Sequence, residues 1–569
     1  MGILKFKKAN CKNCYKCIRN CPVKAIEVKN HQAQIIERDC ILCGNCMVVC
    51  PQNAKEVRND VLTIKNLIRE GKQVIASVAP SFISNYNVTQ FSQFASILRK
   101  LGFSDAFETA EGAYIVKSEY EKLIKSNWKN IIISSCCPTV VQLVQKHYPE
   151  ALKYLAPVIS PVQAHSKLLK SKIKDAIVVF IGPCISKKEE CVRGEEYNDI
   201  AITFEELDIW IKEDGLKFED NKNIDNKNID NNTYVSRLFP ISGGILNTMN
   251  KRNDYRYVAI DGLDNCIETL KEIIGNNLDD CFIEMSACSG SCINGPASSH
   301  NKSLRISSMN KVESIALNKN NPTDFNFKYS IDTSRRFKDE QIVIQSPSDK
   351  EISSVLKKMG KRSIEDELNC GTCGYSTCRE KAIAVILGKA EISMCLPYMK
   401  EKAESFSDKI ISVTPNAILT VDTNLVVQQI NKSACEIFEV ENSRDIIGLP
   451  ISRVMNDLDF INVISNEENI INENVYLPEY DKFVNQNFIY DKNSGIIICI
   501  MKDITKLKRK REKLIKEKTN RADITDKIVE KHMCIVHEIA SLLGETAAET
   551  QIALTDLKEA ILMEEEDYD

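Results

Sequence analysis

Cys11, Cys14, Cys17 and Cys21-Pro22 follow the spacing C-x2-C-x2-C-x3-C-P, and Cys40, Cys43, Cys46 and Cys50-Pro51 repeat it. Successive C-x2-C turns bring three thiolates to one side of a tight loop, which suits a cubane of iron and sulfide. In this pattern the fourth cysteine of each run reaches the other cluster. The spacing therefore predicts one [4Fe-4S] cluster on Cys11, Cys14, Cys17 and Cys50 and a second on Cys40, Cys43, Cys46 and Cys21. A zinc ribbon would use two spaced cysteine pairs instead.

The chain has 23 cysteines, 20 of them before residue 396, with only Cys435, Cys499 and Cys534 beyond it. Clustered thiols in a reducing compartment bind metal or react rather than pair as disulfides. A metal-rich part is thus followed by a metal-poor tail. The formal charge of −4, from 75 basic and 79 acidic residues, offers no polyelectrolyte reason for a nucleic-acid or anionic-membrane partner. No apolar run approaches the roughly 18 residues that span a bilayer, and the amino terminus has no signal-peptide core. A cytoplasmic protein is expected. At 569 residues, and with about 100–200 residues per domain, about three to five domains are expected.

Residues 1–58 form the two-cluster unit, and 59–335 alternate β-branched runs with helix-like stretches, as an α/β domain does. The segment from Glu219 to Thr233 is Asn-rich and repetitive and reads as a surface insertion. A compact cysteine unit occupies 336–404, and an α/β module without a cysteine cluster occupies 405–505. From 506 to 569 Leu507, Leu514, Ile524, Ile528, Ile535 and Ile539 recur with near-heptad spacing. Gly544 reads as a helix stop, and Thr546 to Glu549 as a capping box that restarts a helix through Leu554, Leu557 and Ile561. The expected outcome is a helical hairpin that dimerises.

Three further cysteine sites each follow an apolar run: Ile131–Ile133 before Cys136 and Cys137, Ile177–Ile181 before Cys184, and Cys281–Met285 before Cys288 and Cys292. Such runs read as buried parallel strands. Ligands gather at the carboxyl ends of strands, so these cysteines can converge on one cofactor.

Ser135-Cys136-Cys137-Pro138, the run from Pro183-Cys184 through Lys187 to Glu190, and the run from Ala287-Cys288 to Cys292 resemble, in order, the three signature motifs of [FeFe]-hydrogenases. The resemblance covers about residues 1–320. It implies a multidomain α/β chain with a ferredoxin-like two-cluster module and a hydrogenase α/β catalytic domain. It also implies that Cys137, Cys184, Cys288 and Cys292 hold the cubane of an H-cluster. Cys292 would bridge to a two-iron subcluster carrying CO, cyanide and azadithiolate. Cys136 would be the free thiol that passes protons to the amine, Lys187 the lysine that meets one cyanide, Ser81 a hydroxyl near the other, and Pro183 part of the cofactor's wall. The protein supplies orientation and a tuned pocket, and the cofactor the metal and the base.

The chain also departs from that family. Highly active members have methionines where Gly182 and Ser286 stand and a tryptophan where Val140 stands. The positions of a glutamate and a serine in the family's proton path fall at Tyr120 and Ala156, with Glu119 and Ser160 close by as the alternative alignment. Tyrosine and alanine cannot relay protons as a carboxylate and a hydroxyl do, so slow proton delivery, and with it low turnover, is expected.

Cys370, Cys373, Cys378 and Cys395 form C-x2-C-x4-C-x16-C and resemble a small [4Fe-4S] domain of corrinoid iron–sulfur proteins and sensory hydrogenases, which would be the third accessory cluster. Zinc is the competing reading of four thiolates. Residues 405–505, from Pro415 through Ile430 to Phe438 and on to Thr505, resemble an α+β PAS domain. No histidine lies within it to ligate a haem, and a packed core without cofactor is expected. His537-Glu538 resembles a histidine-kinase phospho-acceptor box, but a plain coiled-coil or docking helix is the simpler reading.

Together these features imply a sensory [FeFe]-hydrogenase that reacts with H2 and protons and relays redox state to a signalling tail. Its expected partners are a redox protein such as ferredoxin, a downstream kinase or phosphatase, and a second copy in a homodimer. The rival readings are a metabolic ferredoxin-linked hydrogenase and a non-catalytic iron–sulfur scaffold.

Overall fold

The computed structural model describes residues 2–564 apart from 8–9, 87, 89, 194–198, 219–233, 276–277, 279, 299–304, 318–323 and 344–345. The Asn-rich insertion from Glu219 to Thr233 lies outside the described residues. The chain divides into two compact units, Met1–Met399 and Lys400–Asp569.

The first unit opens with a pseudo-repeat. Short helices Lys16–Arg19 and Asn45–Val48 carry Cys17 and Cys46. Strand Leu4–Phe6 pairs antiparallel with Lys55–Val57, and Ile26–Lys29 with Gln32–Ile35. Helices of four residues cannot stand on propensity. Burial of Ile18 and Cys46 in a core shared with Leu4 and Ile26 holds them.

The α/β part contains two parallel sheets. One runs Asp105–Glu108, Val74–Val78, Ile177–Gly182, Ile200–Thr203, and the other Arg256–Asp261, Cys281–Ser286, Ile131–Ile133. Val74–Val78 and Ile131–Ile133 are buried throughout, which is why they read as unbroken apolar runs rather than alternating ones. A strap after Asp324 closes over this part: Ile159 N–H donates to Thr333 O (2.9 Å), and Arg335 and Ile342 N–H to Pro157 O and Lys146 O (3.1 Å each).

The late cysteine unit is built from helices Asp349–Lys358 and Cys378–Ile386, capped by Ser348 and Thr377, whose hydroxyls accept from Glu351 and Glu380 N–H. It packs on the amino-terminal repeat. Val28 N–H donates to Lys389 O (2.9 Å), Lys24 Nζ to Gly374 O (3.0 Å), and Lys389 pairs with Asp39 (2.6 Å). Tyr375, Ala390 and Met394 share one buried cluster with Cys17, Ile18 and Cys21.

The second unit contains a five-stranded antiparallel sheet in the order Val427–Ile430, Ala417–Asp422, Ile496–Asp503, Lys482–Asp491, Ile470–Leu477. Residues of Ala417–Asp422 alternate between buried and half-buried, so one face meets a core containing Phe460, Phe488 and Met501. Asn431 caps helix Lys432–Ile437 by accepting from Ala434 N–H. The terminal segment forms one helix, Thr505–Glu564, of 60 residues, about 90 Å long at 1.5 Å per residue.

That helix corrects the expected hairpin. Gly544 does not stop it, because Gly544 is not among the glycines with positive φ and nothing lies within 4 Å of where a Cβ would stand. Thr546 forms no capping box: its hydroxyl donates back to Leu542 O at 2.7 Å, as threonines inside a helix do. One interior glycine costs about 1 kcal/mol relative to alanine, too little to break a segment rich in Ala, Leu and Glu. Among the described residues no helix is long and apolar enough to cross a membrane.

Candidate metal centre

Five strand ends in the first unit converge. Val78 leads into Ala79-Pro80-Ser81, Glu108 into Thr109, Ile133 into Ser134 to Cys137, Gly182 into Pro183-Cys184, and Ser286 into Ala287-Cys288. They enclose a cavity of about 110 Å³ lined by Ser81, Cys136, Cys137, Pro183, Cys184, Lys187, Cys288 and Cys292. Local sequence fixes each approach. Cys137 stands at the N-cap of helix Pro138–His147, with the proline in the first turn. Lys187 lies in the first turn of helix Ser186–Arg193, and Cys292 on the 3-10 turn Ser291–Asn294.

The donor set fits an iron–sulfur group. Desolvation, reinforced by neighbouring thiols, raises Cys184 to about 11, Cys292 to about 12, and Cys288 well above its ordinary value. Thiols raised in this way would be held as thiolates only by a cationic metal between them, which an iron–sulfur group supplies. Ser81 Oγ is buried without a hydrogen-bond partner and lines the cavity. Lys187 lines it too. Two donors beside the thiols suit a group that offers acceptor ligands as well as iron.

Lys187 is held by a network that sequence reading did not anticipate. Its Nζ donates to Glu190 Oε2 (2.6 Å) and to Cys136 O (3.3 Å), while Ser160 Oγ and Arg335 also donate to Glu190 (2.9 and 3.1 Å). Burial alone would lower the Lys187 ammonium, but Glu190 together with Cys184 and Cys136 holds it above its ordinary value. Burial would raise Glu190, and Lys187 and Arg335 hold it below the usual range.

Cys136 meets the Tyr120 hydroxyl at 3.1 Å. That hydroxyl accepts from Ser135 N–H at 2.9 Å and lies 3.1 Å from Ser135 Oγ. Desolvation raises Cys136 to about 12 and Tyr120 well above its usual value. Glu119 takes no part, since it accepts from Lys122 and Tyr329 (2.8 Å each). Ser160 faces Glu190, and Ala156 is buried in the adjoining core. Where Gly182 lacks a side chain, the Phe180 ring fills the space: a Cβ there would stand 2.6 Å from Phe180 Cζ.

The other thiols gather around smaller sites. Cys21, Cys40, Cys43 and Cys46 surround one cavity, so the fourth cysteine of the first run joins three of the second. Cys370, Cys373, Cys378 and Cys395 surround another. Lys55 bonds to both Cys17 and Cys50, and Cys11 acts on Cys17, while Cys14 is exposed. The Cys21–Cys46 site adjoins the main cavity: Gly44 abuts Pro296 and Ile185, and Cys43 acts on Cys288. Among the described residues no three His, Cys, Asp or Glu side chains converge closely enough for a single metal ion. Lys187 and Glu190 are helical neighbours three residues apart, but the Tyr120 contact with Cys136 and the Ser160 and Arg335 contacts with Glu190 join separate elements, and no spacing signalled those.

Residues 72–296 match the family "Iron only hydrogenase large subunit, C-terminal domain", 10–54 the family "4Fe-4S dicluster domain", and 366–397 the family "Putative Fe-S cluster". Iron hydrogenase 1 of Clostridium pasteurianum is 25% identical over 291 residues, covering 40% of this chain and 50% of that protein. The NADP-reducing hydrogenase subunit HndD of Solidesulfovibrio fructosivorans is 24% identical over 351 residues, covering 50% and 55%. The chain thus spans about half the length of the curated relatives it matches. The solved [FeFe]-hydrogenase HydA1 from Chlamydomonas reinhardtii aligns with a TM-score of 0.38 at 17% identity, covering 47% of this chain and 91% of that one.

Proposed function

We propose that this hydrogenase-like chain, with iron–sulfur domains before and after residues 72–296, is a sensory hydrogenase. It reacts reversibly with H2 at an H-cluster and relays the redox state to the unit that begins at Lys400. The observation that carries the sensory reading is the Tyr120 hydroxyl against Cys136. A tyrosine held well above its usual pKa keeps its proton at neutral pH, so it delivers protons poorly where a carboxylate would deliver them well.

When bound, the cofactor supplies an open metal as Lewis acid and a base beside it. Cys137, Cys184, Cys288 and Cys292 would hold its cubane, with Cys292 joining the two-iron unit that carries CO, cyanide and azadithiolate. Lys187, fixed by Glu190, and Ser81 would donate to its cyanides, and Pro183 would wall it in. Cys136 holds the proton exchanged with the base, and Tyr120 limits how fast that proton is replaced. Three accessory [4Fe-4S] clusters, on Cys11, Cys14, Cys17 and Cys50, on Cys40, Cys43, Cys46 and Cys21, and on Cys370, Cys373, Cys378 and Cys395, would spread the electrons and exchange them with a partner such as ferredoxin. Residues 405–505 act as a PAS domain, a reading supported by the five-stranded antiparallel sheet with its flanking helices. Residues 506–569 serve self-association and docking of a kinase or phosphatase, in the cytoplasm.

The test is the matured full chain. It should hold about 18 iron atoms, as four cubanes plus two, show infrared bands of metal-bound CO and cyanide, and turn over H2 slowly. Amide exchange in residues 400–569 should differ between H2 and argon. Fast turnover with identical protection in both gases would make it a metabolic hydrogenase. Iron near about 16 without CO bands would make it a scaffold.

A further inference from the structure

The helix Thr505–Glu564 distributes its charge unevenly. Residues 506–521 contain nine basic and two acidic side chains, net +7, whereas 545–564 contain five acidic and one basic, net −4, and 565–569 add four more acidic residues to the sequence. This order opposes the helix dipole, whose amino end favours anions and whose carboxyl end favours cations. No acidic residue stands in the first turn and no basic one in the last. A lone helix is weakened by that arrangement.

The same helix presents an apolar face. Leu514, Ile528, Val529, Val536, Leu543 and Leu557 are 49–65% exposed. Val529, Val536 and Leu543 recur at seven-residue intervals, with Leu557 two intervals further on, the spacing of a coiled-coil seam.

We propose that this face is covered by the same helix of a second copy running antiparallel, the overlap centred near Ile535. A parallel pair would set the +7 segment of one copy beside the +7 segment of the other, and likewise the two acidic ends. An antiparallel pair sets each basic segment beside an acidic one and aligns the two dipoles favourably. Apolar burial drives the association, and charge chooses its direction. The inference rests on the self-association in the proposed function and not on the H2 chemistry, so either can fail without the other.

The test is zero-length carbodiimide cross-linking of the full chain, mixed from nitrogen-14 and nitrogen-15 copies so that links between copies are identified by mass. Links between lysines of 506–518 in one copy and acidic residues of 545–559 in the other are expected. Inter-copy links confined to one end, such as Lys510 to Glu512, would establish a parallel pair and overturn the proposal, as would a monomer by light scattering or a dimer without inter-copy links in this helix. A charge-swap series is the second arm. Lys510→Glu, Arg511→Glu and Lys513→Glu together should weaken the dimer about tenfold at low salt, from like charges at both ends. Adding Glu545→Lys, Glu549→Lys and Glu559→Lys should restore it. Failure of that rescue, with helix content intact, would overturn the antiparallel direction.

Discussion

At Cys136 two demands meet: the thiol lines the metal cavity, yet its side chain is engaged by Tyr120 and its carbonyl by Lys187. Cys136→Ala should leave the four other cavity thiols to bind their cluster, so infrared bands should persist while H2 turnover falls by orders of magnitude, roughly 10²-fold or more. Turnover equal to the parent would remove Cys136 from proton transfer. Glu284 gives a prediction of another kind. Burial pushes its carboxyl up from 4.5 to about 7, although its oxygens accept from Gly243 and Leu246 N–H. Between those values the folded chain binds the proton more tightly than the unfolded chain, so stability falls as pH rises from 4.5 to about 7. Denaturation midpoints of the first unit across that window should show this slope, and Glu284→Gln should flatten it.

Among the elements, the terminal helix is the most open to test. Gly544 sits in an uninterrupted helix with no neighbour near its Cα, so Gly544→Ala should stabilise residues 541–550 by about 1 kcal/mol. Slower amide exchange in that stretch is the expected reading. Faster exchange would indicate a left-handed stop, where a Cβ is penalised, and would restore the hairpin. The four-residue helices Lys16–Arg19 and Asn45–Val48 are the opposite case, since they exist only because cysteine loops and core burial hold both ends.

For the first unit as a whole, the arrangement of the thiol clusters depends on how the late cysteine unit docks. Gly374, at φ +94°, packs its Cα on Ile18, and an added Cβ would stand 2.9 Å from Ile18 Cγ2 and 3.3 Å from Arg19 N. Gly374→Ala adds left-handed strain of about 1–2 kcal/mol to that contact. It should loosen residues 366–397, detected as faster proteolysis there, while infrared bands from the main cavity stay unchanged. Loss of those bands would show that the two sites assemble as one cooperative body.

Covalent connectivity made the thiol clusters legible. A C-x2-C turn confines two thiols wherever it occurs, and an unbroken apolar run before a cysteine marks a buried strand with its ligand at the carboxyl end. The convergence of Cys137, Cys184, Cys288 and Cys292 follows from such local rules, and the crossing of Cys21 into the second set from the doubled cysteine pattern. Tertiary structure alone decided what surrounds them. Tyr120 reaches Cys136 from a separate helix, and Arg335 in the strap reaches the Glu190 that holds Lys187. Each joins side chains whose separation in sequence carries no distance information until the strands are ordered and the strap is closed. Gly544 failed as a stop for the same reason: the residue permits a left-handed turn but does not impose one, and with nothing packed against it the helix continues.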